Sequence, residues 1–290
     1  MTRWWTTRRF DAVELVALAL AVGLASLLIP RWYQPRVSDL AFSAAQEAAA
    51  LEQRYGPHRY SRHEEEWVIR DYFRDRRGGY FVDVGANHFQ DENNTYYLET
   101  RLGWEGLAID PQTSFVDGYR QHRPRTRFFS FFVSDASNET TRFYLVPDNS
   151  LVASADQRFA ERHGTEAAKA VSESHPVTVP TIRLTDLLDM ARASRIDLLS
   201  IDVELAEPKV LAGFDIDRFK PSLVCIEAHR QVRQSILNYF ADHRYVALGR
   251  YLRADLQNLY FAPLEQTVAD EGKASSTGES REVSRPALSR

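Results

Sequence analysis

The chain has 290 residues, 44% hydrophobic and 12% aromatic, a composition that suits a packed domain and excludes disorder throughout. Its 36 basic and 40 acidic residues are interspersed and leave a net charge of −4, which excludes the basic stripe of a nucleic-acid binder. A single cysteine, Cys225, rules out a disulfide within the chain and a cysteine-built metal site.

Residues 12–29, AVELVALALAVGLASLLI, form an apolar run interrupted by one acid, Glu14, which is about the minimum for a spanning helix. Trp4 and Trp5 before it, and Trp32 and Tyr33 after it, stand where interfacial aromatics belong. The exit, LLIPRWY, lacks the small-residue pattern of a cleavage site. The expectation is a flank over 1–9 and an uncleaved transmembrane anchor over 10–30. Residues 31–59 then read as a stalk helix and linker: Ser38 and Asp39 offer caps, Leu40, Ala44, Leu51 and Tyr55 recur at helical spacing, and Gly56-Pro57 end the run.

From residue 60 the pattern becomes that of a domain. HEEEWVIRDYFRDRRGG has Glu64 to Glu66 at its start and Arg74, Arg76 and Arg77 at its end, the charge order that favours a helix. YFVDV reads as a strand, NNTYYLETRL as a helix capped by Asn93 or Asn94, GLAID as a strand, SFVDGYRQH as a helix and RFFSFFV as a third strand. TRFYLV and VTVPTI are extended, TDLLDMARAS is a helix with Thr185 as its cap, and IDLLSID is a strand. EPKVLAGF is helical, with Pro208 suited to the first turn, SLVCIEAH is a strand and QVRQSILNYFADH a helix. YVALG and LQNLYFA close the domain as an antiparallel pair, and 263–290, poor in apolar residues, reads as a disordered tail. Strand and helix in alternation, with near-continuous apolar strands, mean an α/β domain over 60–262 whose mostly parallel sheet is covered on both faces.

Ligands of such sheets sit outside the carboxyl ends of the strands. Those ends read Asp83-Val84-Gly85-Ala86-Asn87, Asp110-Pro111, Ser134-Asp135, Asp202-Val203-Glu204 and Glu227-Ala228-His229. A side chain at Gly85 would hold a ligand off the backbone, and Asp110 follows at about the spacing at which a second-strand acid reaches ribose hydroxyls. An adenosine-bearing cofactor is therefore expected. The turn has one glycine, not the three that a dinucleotide fingerprint needs, and no Gly-Lys-Ser/Thr occurs. An acidic turn suits a cofactor with a positive centre and an ammonium group.

FVDVGAN, NNTYYLETRLGWEGLAIDP and IDLLSIDVELAEPKVLAGFDIDRFKPSLVCIEAH together resemble the FkbM family of S-adenosylmethionine-dependent methyltransferases, and YSRHEEEWVIRDYF is similar to that family's first helix. The resemblance spans about 60–262. It implies a Rossmann-like class I methyltransferase fold with seven strands, S-adenosyl-L-methionine as cofactor, and methyl transfer to a hydroxyl of a sugar, glycan or related natural product. It further implies that Asp83, Gly85 and Asn87 face the methionine part, Asp110 the ribose, and Ser134 with Asp135 the adenine. Asp202 would lie near the sulfonium, with Glu65 and Thr95 as further contacts. The chain departs from the family pattern at Leu205, where a glycine is commoner and a leucine is expected to narrow the space beside the methyl donor. It departs again at Phe89, expected to reshape the lid.

Asp202, Glu204 and His229 are the candidates for removing the hydroxyl proton, His229 because its ordinary pKa lies near neutrality. No ligand cluster with metal-binding spacing is visible along the chain, and no metal is expected. The competing readings are a membrane-tethered binding module that no longer catalyses, kept open by Leu205, and an NAD-dependent oxidoreductase, disfavoured by the missing glycines. Arg3, Arg8 and Arg9 before the anchor slightly outnumber Arg31 and Arg36 after it, which would export the domain. The cofactor is cytoplasmic, and that consideration places the domain on the cytoplasmic face of a bacterial inner membrane. Residues 148–176 are where the acceptor pocket is expected.

Overall fold

A computed structural model describes residues 37–145, 153–155 and 176–267. The proposed anchor and the greater part of the acceptor segment and of the tail lie outside these residues. Among the described residues no helix is long and apolar enough to cross a membrane. The chain divides into a unit over Met1–Ser43, represented here by the start of one helix, and a unit over Ala44–Arg290 that holds the remaining described elements.

In chain order the elements are α1 (Val37–Tyr55), α2 (Glu65–Phe73), β1 (Tyr80–Val84), α3 (Tyr96–Leu102), β2 (Glu105–Ile109), α4 (Val116–His122), β3 (Thr126–Phe129) and β4 (Phe132–Ser134). They continue as β5 (Thr140–Phe143), β6 (Val177–Arg183), α5 (Leu184–Ala191), β7 (Leu198–Ile201), α6 (Glu207–Ala212) and α7 (Ile216–Phe219). The last four are β8 (Leu223–Glu227), α8 (Arg233–Asp242), β9 (Tyr245–Ala247) and β10 (Asn258–Pro263).

Seven strands form one sheet in the order β3-β2-β1-β7-β8-β10-β9. β10 runs antiparallel to β8 and to β9, and the other neighbours are parallel. This is the Rossmann-like arrangement expected from the sequence, with its antiparallel edge pair. Alternation along each strand supplies two apolar faces. Val82, Val84, Leu107, Ile109, Leu199 and Ile201 pack with α5, α6 and α8, while Phe81, Leu198, Leu223 and Cys225 pack with α2 and α3.

Three local expectations are corrected. RFFSFFV is two strands: β3 pairs with β2 in the large sheet, whereas β4 pairs with β6 in a separate three-stranded sheet, β4-β6-β5. The chain changes layer between them at Ser130, whose hydroxyl donates to the Pro111 carbonyl at 3.1 Å. α3 begins after Thr95, and Asn93 accepts the Thr95 N–H rather than capping the helix from its first position. α5 begins one residue before Thr185, whose hydroxyl accepts the Asp215 N–H at 2.8 Å and ties the helix to the loop before α7.

Candidate functional site

Strand register gathers the site. Ile109, Val84, Ile201 and Ile226 are partners in one row across β2, β1, β7 and β8. One residue further, Asp110, Gly85, Asp202 and Glu227 make the next row along the carboxyl edge, with strands about 4.8 Å apart. Five of the acid-bearing positions singled out from the sequence, Asp83, Asp110, Asp202, Glu204 and Glu227, thus face one crevice.

Gly85 has φ +83°, and a Cβ on it would lie 1.7 Å from the carbonyl oxygen of Asp202. The glycine is therefore required first by the backbone of the neighbouring strand. Asn87 follows with φ +48°, and its N–H donates to Asp110 Oδ2 at 3.1 Å, while the Gln112 N–H donates to Oδ1 at 2.9 Å. Burial nevertheless pushes the Asp110 carboxyl up to about 6. Asp83, opposite Ser200 on the face shared with Cys225, is likewise raised to about 6 by burial, against the hydroxyls of Ser200 and Thr95 and the charge of Arg123.

Two cavities open along this edge. The first has Ile109, Pro111, Phe131, Phe132 and Val133 as apolar walls, with Asp110 and Asn87 among its polar groups. The second is acid-rich, with Glu65, Asp83, Glu227 and His229 in its walls. Gly85, Glu92, Asp202 and Glu204 line both, so the cavities meet at the ends of β1 and β7.

Charges crowd the meeting point. Asp202 is exposed to the crevice yet surrounded by protein, and that enclosure, with Glu227, Glu204, Glu207 and Glu65 nearby, holds its carboxyl well above the usual carboxylate range. His229 Nε2 lies 3.3 Å from Glu204 Oε2 and 3.0 Å from Glu227 Oε2. Those two carboxylates push the imidazole up to about 10, so the near-neutral pKa that recommended His229 as a base is not the one it has here. Glu65, buried, accepts the His63 N–H and the Asn258 amide, and burial together with Asp255 raises it to about 7. Glu207, read from the sequence only as a helix start, is fully buried and raised to about 7 by that burial.

Several expected residues stand elsewhere. Ser134 is buried with its hydroxyl donating to Asp135 at 2.9 Å, and neither residue lines the first cavity, whose wall there is Phe131, Phe132 and Val133. Thr95 lies behind Asp83, donating to it at 3.0 Å, and acts on the site through that carboxylate. Phe89 stacks on His122 with ring centroids 4.6 Å apart and covers Gly118, and so packs onto α4. Leu205 lines neither cavity; it sits at φ +76°, the left-handed region in which the commoner glycine costs nothing. The expected lid and narrowing effects of these two residues have no counterpart in the cavity walls.

Arg123 went unread in the sequence. It is buried and bonds Glu99 Oε2 at 2.5 Å, the Phe89 carbonyl at 2.9 Å, Asn93 Oδ1 at 3.1 Å and Thr95 Oγ1 at 3.1 Å. One side chain thus ties α3 to the loop that follows Gly85. Nothing in the linear pattern marks it, because its partners are brought together only by the fold.

The family model described as the methyltransferase FkbM domain matches residues 83–247, more than half of the chain. No curated protein matches the chain. Among solved structures it is similar to a TehB-like SAM-dependent methyltransferase from Corynebacterium glutamicum, at 14% identity and TM-score 0.38, covering 77% of this chain and 97% of that one. It is also similar to a precorrin 8w decarboxylase from Methanobacterium thermoautotrophicum, at 12% identity and TM-score 0.35, covering 69% and 89%. A third is the Burkholderia thailandensis 1,6-didemethyltoxoflavin-N1-methyltransferase with bound 1,6-didemethyltoxoflavin and S-adenosylhomocysteine, at 12% identity and TM-score 0.30, covering 89% and 91%. At these scores the three add nothing to what the strand order of this chain shows by itself.

Proposed function

Because the chain belongs to the methyltransferase FkbM family, we propose that it is an S-adenosylmethionine-dependent O-methyltransferase acting on a hydroxyl of a sugar, glycan or related natural product. The observation that carries this reading is the pair of cavities meeting at Gly85 and Asp202. The residues present fit the cofactor. The apolar walls of the first cavity suit an adenine, and Asp110 at its edge suits ribose hydroxyls. The positive φ of Gly85 keeps the floor between the cavities free of a side chain. Asp83, in the acid-rich second cavity, suits an ammonium group.

S-adenosylmethionine supplies, when bound, a methyl group on a positively charged sulfur. The chain's own work is to hold the acceptor oxygen in line and to take its proton. Asp202 is placed for the second task, since it lines both cavities and is open to the crevice. His229 serves less well, because its Nε2 already faces Glu204 and Glu227. In the balanced step the hydroxyl proton passes to the Asp202 carboxylate as the oxygen–carbon bond forms and the carbon–sulfur bond breaks.

Calorimetric titration with S-adenosylmethionine, together with release of S-adenosylhomocysteine over a panel of glycans, tests this reading. Tight cofactor binding without turnover on any acceptor would instead favour a tethered binding module. Leu205 gives that alternative no support, as it lines neither cavity. NAD binding in place of S-adenosylmethionine would overturn the reading.

The apolar run over 12–29 supports a single-pass anchor in a bacterial inner membrane, with the cytoplasmic supply of the cofactor supporting a cytoplasmic domain. A C-terminal reporter active only outside that membrane would refute the orientation.

A further inference from the structure

On the wall of the second cavity, β7 and β8 end side by side and bring three donor groups to one point. The ligand atoms of Glu204, Glu227 and His229 all lie within 4.8 Å of one another. His229 Nε2 is 3.3 Å from Glu204 Oε2 and 3.0 Å from Glu227 Oε2. Metal–donor bonds of about 2.1 Å at right angles place neighbouring donors about 3 Å apart, so these separations are those of adjacent corners of an octahedron.

A second observation is independent of the first. Glu227 Oε2 is buried and, among the described residues, makes no hydrogen bond despite its closeness to Nε2. One ring N–H cannot align with two carboxylate oxygens at once. Glu207 adds another such oxygen: its Oε1 accepts the Val203 N–H at 3.3 Å, while Oε2 is buried and has no hydrogen-bond partner among the described residues. Glu207 is fully buried and close enough to Glu227 and His229 for their charges to act on it. Buried polar atoms without partners are rare, and an ion is one of the few things that satisfies them. Around a single imidazole stand the carboxylates of Asp202, Glu204, Glu207 and Glu227, an excess of negative charge that a divalent cation would neutralise where one proton cannot.

We infer that Glu204, Glu227 and His229 form a divalent-cation site, backed by Glu207, in the wall of the acceptor cavity. Carboxylate oxygens with one imidazole suit Mn2+ or Mg2+ among the common ions. Three protein ligands leave open positions, and the acceptor class that fills them carries two adjacent oxygens, such as a vicinal diol. This rests on the reading of the second cavity as the acceptor site. No spacing along the chain announces the site: Glu204 stands far from Glu227 and His229 in sequence, and only the pairing of β7 with β8 joins them.

The test uses the full-length chain with Mn2+ as probe. Calorimetry and the electron paramagnetic resonance signal of Mn2+ are expected to show one ion bound per chain. Glu227→Gln and His229→Asn should each weaken it at least tenfold, while the surface change Asp186→Asn leaves it unaltered. The wild-type resonance measurement needs no variant and holds even if a substitution misfolds. No Mn2+ bound at millimolar concentration, or binding that survives both substitutions, overturns the inference. Binding of S-adenosylmethionine after chelator treatment separates the two readings. Cofactor binding without an Mn2+ site removes the ion and leaves the methyltransferase; an Mn2+ site without cofactor binding does the reverse.

Discussion

The carbonyl oxygen of Asp202 lies 1.7 Å from the point at which Gly85 would carry a Cβ. The two residues head adjacent parallel strands, β1 and β7, and the contact is between backbones, so no rotamer change relieves it. Gly85→Ala therefore adds an overlap to the cost of about 1 kcal/mol for a side chain at positive φ. Denaturant unfolding should show a loss of about 3 kcal/mol or more, and calorimetry a loss of cofactor binding. An unchanged unfolding midpoint would show that the strand ends can separate cheaply, against the contact described.

Asp110 and Asp83 carry carboxyls raised by burial to about 6. Both bind their proton more tightly folded than unfolded, so the stability they contribute declines as pH rises from the ordinary carboxylate range to about 6. Cofactor binding runs the other way, because ribose hydroxyls and an ammonium group prefer the ionised forms. Affinity for S-adenosylmethionine should be level above pH 7 and fall below pH 6 by up to about tenfold per unit for each group. Asp110→Asn should flatten the dependence by one of these two contributions. A profile that is level from pH 5 to 8 would remove both carboxylates from the cofactor's contacts.

Arg123 and Glu99 form a buried pair at 2.5 Å, with side-chain exposures of 0% and 3%. Arg123→Met leaves Glu99 charged and uncompensated, at a cost of about 3–5 kcal/mol. Adding Glu99→Gln should restore part of that loss, which a double-mutant cycle in denaturant measures. Strict additivity of the two changes would mean the pair is not the unit that holds α3 to the loop after Gly85.

Asp202→Asn keeps the backbone contact with Gly85 and removes the proton acceptor. Turnover should fall by about 10²–10⁴, with cofactor affinity held within about tenfold, equivalent to about 1.4 kcal/mol. Retained turnover would transfer the proton-accepting role to another group of the cluster.

Leu205 stands at φ +76° without lining either cavity. Leu205→Gly relieves that backbone strain but frees the unfolded chain, so stability should stay within about 1 kcal/mol and turnover should be unchanged. A tenfold rise in turnover would restore Leu205 as an obstruction beside the methyl donor.

How much of this was visible beforehand differs by kind of residue. Asp83, Gly85, Asn87, Asp110 and Asp202 could be found because each ends an apolar run, and strand ends are where such sheets bind. Glu65 also reaches the second cavity, from the start of α2. Ser134 and Asp135 were misplaced because RFFSFFV carries no glycine or proline to show that the chain changes sheets at Ser130. Arg123 and Glu207 were passed over because a charge in a helix or turn reads as solvated until its burial is known. His229 was found, but its environment was not, since Glu204 and Glu227 reach it only through folding.

Local patterning alone therefore determined the class of the domain: the period of apolar residues and the turns between them encode strands and helices one segment at a time. The tertiary structure decided the rest. It gave Gly85 its reason, set the register that puts Asp110, Gly85, Asp202 and Glu227 in one row, and closed Glu204, Glu227 and His229 around a common point. These are relations between residues distant along the chain, fixed by which backbones pair and which charges are taken out of water together. No segment carries that information by itself.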